Sequence, residues 1–222
     1  NDKIGFFSHK RLSMEYAYHF KLFGGLLGFG AEGDFLSETF DGSKVDLNDS
    51  NDPAIPTNSV NGSKIDVGGG LYFQRKDFYL GISALHLTAP TVIMGENNEI
   101  AIKRTYYLTS GYNIKTRNPF LTIHPSALGM YDGVEWKAYL SGRVEYANEN
   151  KMLFVGASYS PTNSMALFLG GKFHGVVLSY SYEAYTSGVG FENGAHELVL
   201  SYELKLNLYK KGKNLHKSVR LL

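Results

Sequence analysis

The sequence predicts an all-β protein, an antiparallel transmembrane β-barrel of about 12–14 strands, and three observations carry that prediction. Apolar and polar residues alternate one by one in nearly every strand-like segment, so each segment has one greasy and one polar face. The connections between segments alternate between tight turns and long loops. Tyr and Phe number 16 and 14 and Gly 25, yet no stretch approaches the ~18–20 continuous apolar residues of a membrane helix. Mean hydropathy is only -0.19. Alternating strands average out in this way, whereas spanning helices do not.

The elements follow in order. Leu12, Met14, Tyr16, Tyr18 and Phe20 alternate with Ser13, Glu15, Ala17, His19 and Lys21 to make the first full strand, and Gly24-Gly25 turns the chain into a second that ends near Phe40. Ile4 to Phe7 makes a partial strand ahead of them. Asn, Asp, Ser and Pro crowd residues 41–63, a polar loop. Strands at 64–74 and 77–87 flank the turn Arg75-Lys76-Asp77. A second loop, 89–99, precedes strands at 102–114 and 119–131, joined by Thr116-Arg117-Asn118-Pro119. Strands at 134–146, 151–160, 164–173, 176–185 and 196–207 complete the series. Turns at Asn148-Glu149-Asn150, Pro161-Thr162-Asn163 and His174-Gly175 and a Gly-rich loop at 187–194 separate them. Pro125 falls inside a strand and belongs at a bulge or where no ladder donor is needed.

Counted from the first full strand, the odd-numbered turns are all tight, and the loops at 41–63, 89–99 and 187–194 lie between them. Outer-membrane barrels keep short turns on the periplasmic side and long loops outside, which places the C-terminus in the periplasm. The reading divides the chain into a barrel over 1–207 and a basic periplasmic tail over 208–222, with Lys210, Lys211, Lys213, Lys217 and Arg220 available to dock on acidic headgroups or an acidic partner.

Faces follow from the alternation. Leu198, Leu200, Tyr202, Leu204 and Leu206 oppose Glu197, Val199, Ser201, Glu203 and Lys205. Trp136, Ala138, Leu140, Val144 and Tyr146 are expected to face lipid, with Glu135, Lys137, Tyr139, Ser141, Arg143 and Glu145 in the lumen. Val176, Leu178, Tyr180 and Tyr182 likewise oppose Val177, Ser179, Ser181 and Glu183. An Arg or Lys on the lipid face at mid-depth costs ~2–4 kcal/mol, which fixes the orientation. A soluble sandwich or lipocalin-like barrel would turn the apolar face inward, but so small an interior has no partners for that many tyrosine hydroxyls. Mixed lumen charges, Glu15, Lys21, Glu135, Lys137, Arg143, Glu145, Glu203 and Lys205, favour ion pairing and a filled interior over a selective pore.

Candidate chemistry is sparse. A net charge of +1 argues against a nucleic-acid partner. With no cysteine, disulfides and thiolate chemistry are excluded. The seven histidines show no metal-site spacing, and a rim site built from His86, His196 and Glu197 is the one arrangement to imagine. His124 and Ser126 share a strand face, a faint base and nucleophile pair that would need an orienting Asn or Asp. Gly68-Gly69-Gly70 and Asn61-Gly62-Ser63-Lys64 lack the spacing and strand-to-helix context of a phosphate loop. Such glycines instead permit coiling of a barrel wall or the close approach of a plug or partner segment.

Three ordered motifs carry a family resemblance that covers most of the chain. Val67-Gly68-Gly69-Gly70-Leu71-Tyr72-Phe73 followed by Phe78 to Leu87, with Gly81, Ser83, His86 and Leu87 at the motif positions, resembles the glycine-rich strand, turn and FYxGxSxxHL signature of the PorP/SprF family. Tyr180-Ser181-Tyr182-Glu183 resembles its YSYD element, with Glu183 in place of Asp. Ala195-His196-Glu197-Leu198 with Leu200-Ser201-Tyr202 resembles its closing SHExxLSY strand, with Ala195 in place of a small hydroxyl residue. The chain opens on Asn1-Asp2-Lys3 without a leader, and by comparison with the family one or two strands are expected ahead of Asn1, making about fourteen. The resemblance implies a barrel of the type IX secretion system in the outer membrane of Bacteroidota. It further implies export or attachment of a cognate surface adhesin, such as those used in gliding, and contact with translocon or periplasmic ring components. It brings no catalytic residues, cofactor or metal. A passive channel or FadL-like transporter for small or hydrophobic solutes is the competing expectation.

Overall fold

The structure, a computed structural model, describes residues 1–44, 56–95, 98–149, 151–161, 163–187 and 194–202. The first strands are β1 (Asp2–Ile4), β2 (Phe7–Leu22), β3 (Gly25–Asp41), β4 (Ser59–Arg75) and β5 (Phe78–Leu85). A hairpin, β6 (Thr91–Met94) and β7 (Asn98–Ala101), interrupts them. Then come β8 (Thr105–Tyr112), β9 (Ile114–Lys115), β10 (Leu121–Tyr131), β11 (Trp136–Asn148), β12 (Lys151–Ser160), β13 (Ser164–Phe173), β14 (Val176–Tyr185) and β15 (Gly194–Tyr202). The fold is all-β. Thirteen strands form one antiparallel sheet in the order β1-β2-β3-β4-β5-β8-β10-β11-β12-β13-β14-β15, with β9 beside β10 and the β6-β7 hairpin apart.

This is the nearest-neighbour meander of a barrel wall, and it curls strongly. Tyr72 on β4 and Phe168 on β13, six places along the sheet, line one concave cavity of about 620 Å³. The chain passes from β2 to β3, β4 to β5, β8 to β10, β11 to β12 and β13 to β14 at one end of the sheet, and from β3 to β4, β5 to β8, β10 to β11, β12 to β13 and β14 to β15 at the other. Phe23, Lys76, Glu149 and His174 each open a two-residue turn at positive φ, the backbone that matches the twist of flanking strands.

Five expectations need correction. The partial strand expected at Ile4 to Phe7 is instead a hairpin turn: β1 ends at Ile4, Gly5 at φ 57 and Phe6 reverse the chain, and β2 begins at Phe7, ahead of Leu12. The first tight turn is Phe23-Gly24, because Gly25 already pairs with Leu22. β4 starts at Ser59 rather than 64: residues 59–63 are too polar to read as a strand, yet each pairs in unbroken register with β3, from Asp41↔Ser59 to Ser37↔Ser63. The strand placed at 102–114 is shorter, Thr105–Tyr112. The loop at 89–99 is no loop throughout, since it holds most of the β6-β7 hairpin. Leu204, Leu206, Glu203, Lys205 and the tail residues Lys210, Lys211, Lys213, Lys217 and Arg220 lie outside the described residues.

Polarity across the sheet is inverted relative to a soluble fold. Convex-face side chains are apolar and exposed, among them Leu153 at 65%, Leu167 at 67% and Leu169 at 57%. Asp34, Glu38, Asp66, Ser160 and Ser164 on the concave face are buried. Two devices pack that concave wall. Tyr79 lies over its cross-strand partner Gly111, Phe168 over Gly156 and Phe154 over Gly170, each ring filling the place of a missing Cβ. Pro125 breaks the ladder on one side only: it pairs with Gly142 on β11, while the pairing to β8 and β9 skips from Ser126↔Gly111 to Ile123↔Ile114. A residue without an N–H has no donor to offer there.

The turn between β10 and β11 is shaped by Asp132, whose Oδ1 accepts from Glu135 N at 2.9 Å and Val134 N at 3.0 Å. These bonds, that of Glu135 foremost, hold the carboxyl below its ordinary range. A lowered carboxyl contributes stability above the unfolded value of about 4 and loses it as pH falls through the folded one. Asp132→Ala should therefore speed amide exchange at Val134 and Glu135 at neutral pH, with the difference from the parent fading in acid. Gly111→Val should cost about 1–3 kcal/mol in urea unfolding from detergent or lipid. Adding Tyr79→Ala should cost less than the sum of the two changes, because the new side chain then has room.

Candidate functional site

The concave face near the long-loop end carries the densest polar chemistry, and it is built from facing residues of neighbouring strands. On β2 and β3, Arg11 Nε donates to Asp34 Oδ1 at 2.8 Å and Arg11 Nη2 reaches Asp34 Oδ2 at 3.0 Å and Glu32 Oε1 at 2.5 Å. Ser13 Oγ adds a bond to Asp34 at 2.6 Å, and His9 Nδ1 pairs with Glu38. Ser13↔Asp34 and His9↔Glu38 are register partners, so these contacts follow directly from the pairing. Asp34 is 3% exposed and its charge is matched by the two-toothed grip of Arg11.

The second centre is Asp66, fully buried on β4. Its Oδ2 faces His86 Nδ1 at 2.5 Å, and its Oδ1 accepts from Thr88 Oγ at 2.6 Å, Thr88 N at 3.3 Å and Val67 N at 2.8 Å. His86 sits at φ 57, and Ala89 N donates back to His86 O at 2.9 Å, so the chain leaves β5 in a tight turn closed on Asp66. Of the motif residues, His86 is thus a tie to the neighbouring strand. Gly81 leaves space for Thr109 Cγ2 and the Tyr72 ring, since a Cβ there would come within 2.8 Å and 3.2 Å of them. Ser83 pairs with Gly70, where a Cβ would lie 2.8 Å from Ser83 Cβ. Leu87 N donates to Val67 O at 2.9 Å.

The later motifs split between the faces. Tyr180 OH and His196 Nδ1 are 2.7 Å apart, and the Tyr182 ring lies 4.8 Å from the His196 ring, an aromatic clasp on the convex side of β14 and β15. On the concave side Glu183 accepts from Ser164 Oγ, and Ser181 Oγ lies 3.4 Å from Glu197 Oε2. Leu198, Leu200, Tyr202, Trp136 and Leu140 are all exposed on the convex face.

A third cluster lines the cavity of about 620 Å³ with Tyr72, Tyr79, Asn113, His124, Arg143 and Glu145. Arg143 Nη2 and Glu145 Oε2 pair at 3.2 Å, and the Arg143 guanidinium lies 5.5 Å from the Phe154 ring. His124 does gain an orienting amide, with Nδ1 2.7 Å from Asn113 Oδ1. Its other nitrogen turns toward Glu145 Oε2 at 3.6 Å, and among the described residues no hydrogen bond joins it to Ser126. That arrangement does not activate a serine, which needs the base in hydrogen-bond reach. His86 and His196 take separate partners on β4 and β14, and among the described residues no group of three or more His, Asp or Glu is placed to hold a metal.

Sequence reasoning named Arg143 and Glu145 as lumen charges, and these two do pair. It missed Arg11, Asp34, Glu38 and Asp66. The signal for the first was present, since His9 and Arg11 continue the parity of Ser13 and Glu15.

Comparison with known proteins gives one match. The family model described as type IX secretion system membrane protein PorP/SprF covers residues 1–202. No curated protein and no solved structure matches the chain.

Removing the Asp66 carboxylate strands its donors in a buried place. Asp66→Ala should lower the unfolding free energy by roughly 3 kcal/mol in urea titration. The double change Asp66→Ala with His86→Ala should lower it by little more, since one bond is counted in both.

Proposed function

The chain belongs to the PorP/SprF family of type IX secretion system membrane proteins, and on that premise we propose that it is a non-enzymatic outer-membrane barrel supporting export or surface attachment of a cognate secreted adhesin. Residues 1–207 form the barrel. Residues 208–222 form a basic tail that docks on periplasmic ring or translocon partners. The convex face is wetted by lipid, and the concave face is a lumen filled largely by its own ion pairs and rings.

The observation that supports this reading is an apolar belt kept level across strands. The outward residues Leu12, Phe35 and Ile65 stand in register as its upper row, and Phe20, Leu27 and Phe73 as its lower row. Each strand thus offers nine residues to the belt, 12–20, 27–35 and 65–73, the length a tilted strand needs to cross hydrocarbon. One step above the upper row, the outward positions become Lys10, Ser37 and Ser63. The change from apolar to polar at one level on three strands marks a bilayer boundary. Long-loop connections then face outward and short turns the periplasm. Activity follows from presented surfaces, with loops offered to a secreted partner on one side and turns with the tail on the other.

Leu167→Arg should block membrane assembly, at a cost of ~2–4 kcal/mol for a cation at mid-depth. Ala166→Arg, which faces the concave side opposite Glu183, should be tolerated. Heat-modifiable migration of membrane-extracted protein reads both. Co-purification of the parent chain with a secreted adhesin or ring components tests the role itself, and solute-dependent conductance in planar bilayers without any such partner would replace it with a transporter.

A further inference from the structure

We propose that the β6-β7 hairpin is a strap folded into the long-loop mouth of the lumen, seated in a notch cut by Gly62 and tied at its root by Asp66. The proposal rests on the concave face being a lumen.

Three observations place the hairpin there. Gly62 has the same strand parity as Asp66 and Tyr72 and so points to the concave side, and a Cβ on it would overlap the carbonyl oxygen of Ile93 and come within 2.8 Å of Val92 Cγ1. The strap therefore crosses over the inner wall of β4, where only a glycine lets a second backbone come so near. Val92 at 0%, Met94 at 1% and Leu36 at 4% are the large apolar side chains buried among the described residues, and β6 packs on both β3 and β4. In a protein whose leucines mostly point outward, the apolar core is spent on this one seat.

The root is fastened separately. Asp66 holds His86 and Thr88 where the chain leaves β5, Arg104 Nε donates to Leu87 O at 2.9 Å, and Ile102 N donates to Pro90 O at 3.0 Å. Both arms of the loop thus return to the rim beside β4. β4 outruns β5 at this end, its pairing to β5 stopping at Gly69↔Ala84, and the hairpin covers the strand that is left bare. A strap held by a small apolar seat and a hydrogen-bonded root narrows the mouth from the side of β3 and β4 and moves as one piece when the seat is lost. Its displacement widens the path through the lumen and the access to it from outside.

A cysteine-free chain allows a direct test. A Cβ on Gly95 would stand 3.6 Å from Val60 Cβ, inside the range that a disulfide spans, although a cysteine there must take the left-handed backbone of φ 69 with some strain. Refolded in lipid vesicles and mildly oxidised, Val60→Cys with Gly95→Cys should form an intrachain bond, seen as a mass loss of two hydrogens and loss of maleimide labelling. The single variants should stay labelled. Gly62→Leu, which refills the notch, should give a several-fold larger unit conductance in planar bilayers than the parent. Two open cysteines in a heat-modifiable double variant, or unchanged conductance of folded Gly62→Leu, would overturn the strap. A parent chain that is not heat-modifiable in vesicles would instead sink the lumen reading, and the strap with it.

Discussion

The structure depends on one constraint: each long strand must satisfy its backbone on the strands beside it. An antiparallel ladder does this only while register is kept, and the sheet keeps it over long runs, from Leu26↔Gln74 to Asp41↔Ser59 on one pair and from Lys151↔Phe173 to Ser160↔Ser164 on another. Because side chains alternate with a period of two, an unbroken register also sorts every residue to one face. Fold and polarity are therefore one fact. A slip by one residue would turn Arg11 and Asp34 to the convex side and Leu12 and Phe35 inward.

What the concave side does with that sorting is less usual. A curled wall crowds its inner residues, and this chain answers with glycine on one strand and a ring from the next, as at Gly111 and Tyr79. Rings laid flat thin the wall without leaving voids, whose lining atoms would lose their contacts. Charges take the remaining space, paired across facing strands as at His9 and Glu38, diagonally as at Arg11 and Asp34, or along one strand as at Arg143 and Glu145. Arg11 can grip Asp34 because Ser13 and not Arg11 stands opposite it, so the long side chain reaches diagonally with its fork intact.

Legibility in the sequence followed the range of the interaction. Alternation at 12–21 and 134–146 is a local pattern, and β2 and β11 form there, although β2 already begins at Phe7 and β11 runs from Trp136 to Asn148. Turn chemistry at His174-Gly175 is equally local. β3 hid its charges because Gly28, Gly30 and Gly33 interrupt the alternation, so Glu32, Asp34 and Glu38 carried no visible parity. Polar residues 59–63 read as loop because their strand state is imposed by β3 beyond the apolar belt. Asp66 needs His86 and Thr88, about twenty residues away, and no window of local pattern contains both. The hairpin escaped for a third reason: Thr91–Met94 and Asn98–Ala101 are too short for periodicity to speak.

Strand direction adds a condition on how the wall can end. β2 to β15 comprise eleven full-length strands in the meander, an odd number, so the two outermost run the same way along the sheet. An antiparallel sheet that meets itself needs an even count. β1, pairing Asp2–Ile4 with Phe7–His9, runs opposite to both β2 and β15. Both faces of β2 and of β15 are more open than those of the strands between them. Exposure and direction thus agree in setting β2 and β15 apart from the strands between them.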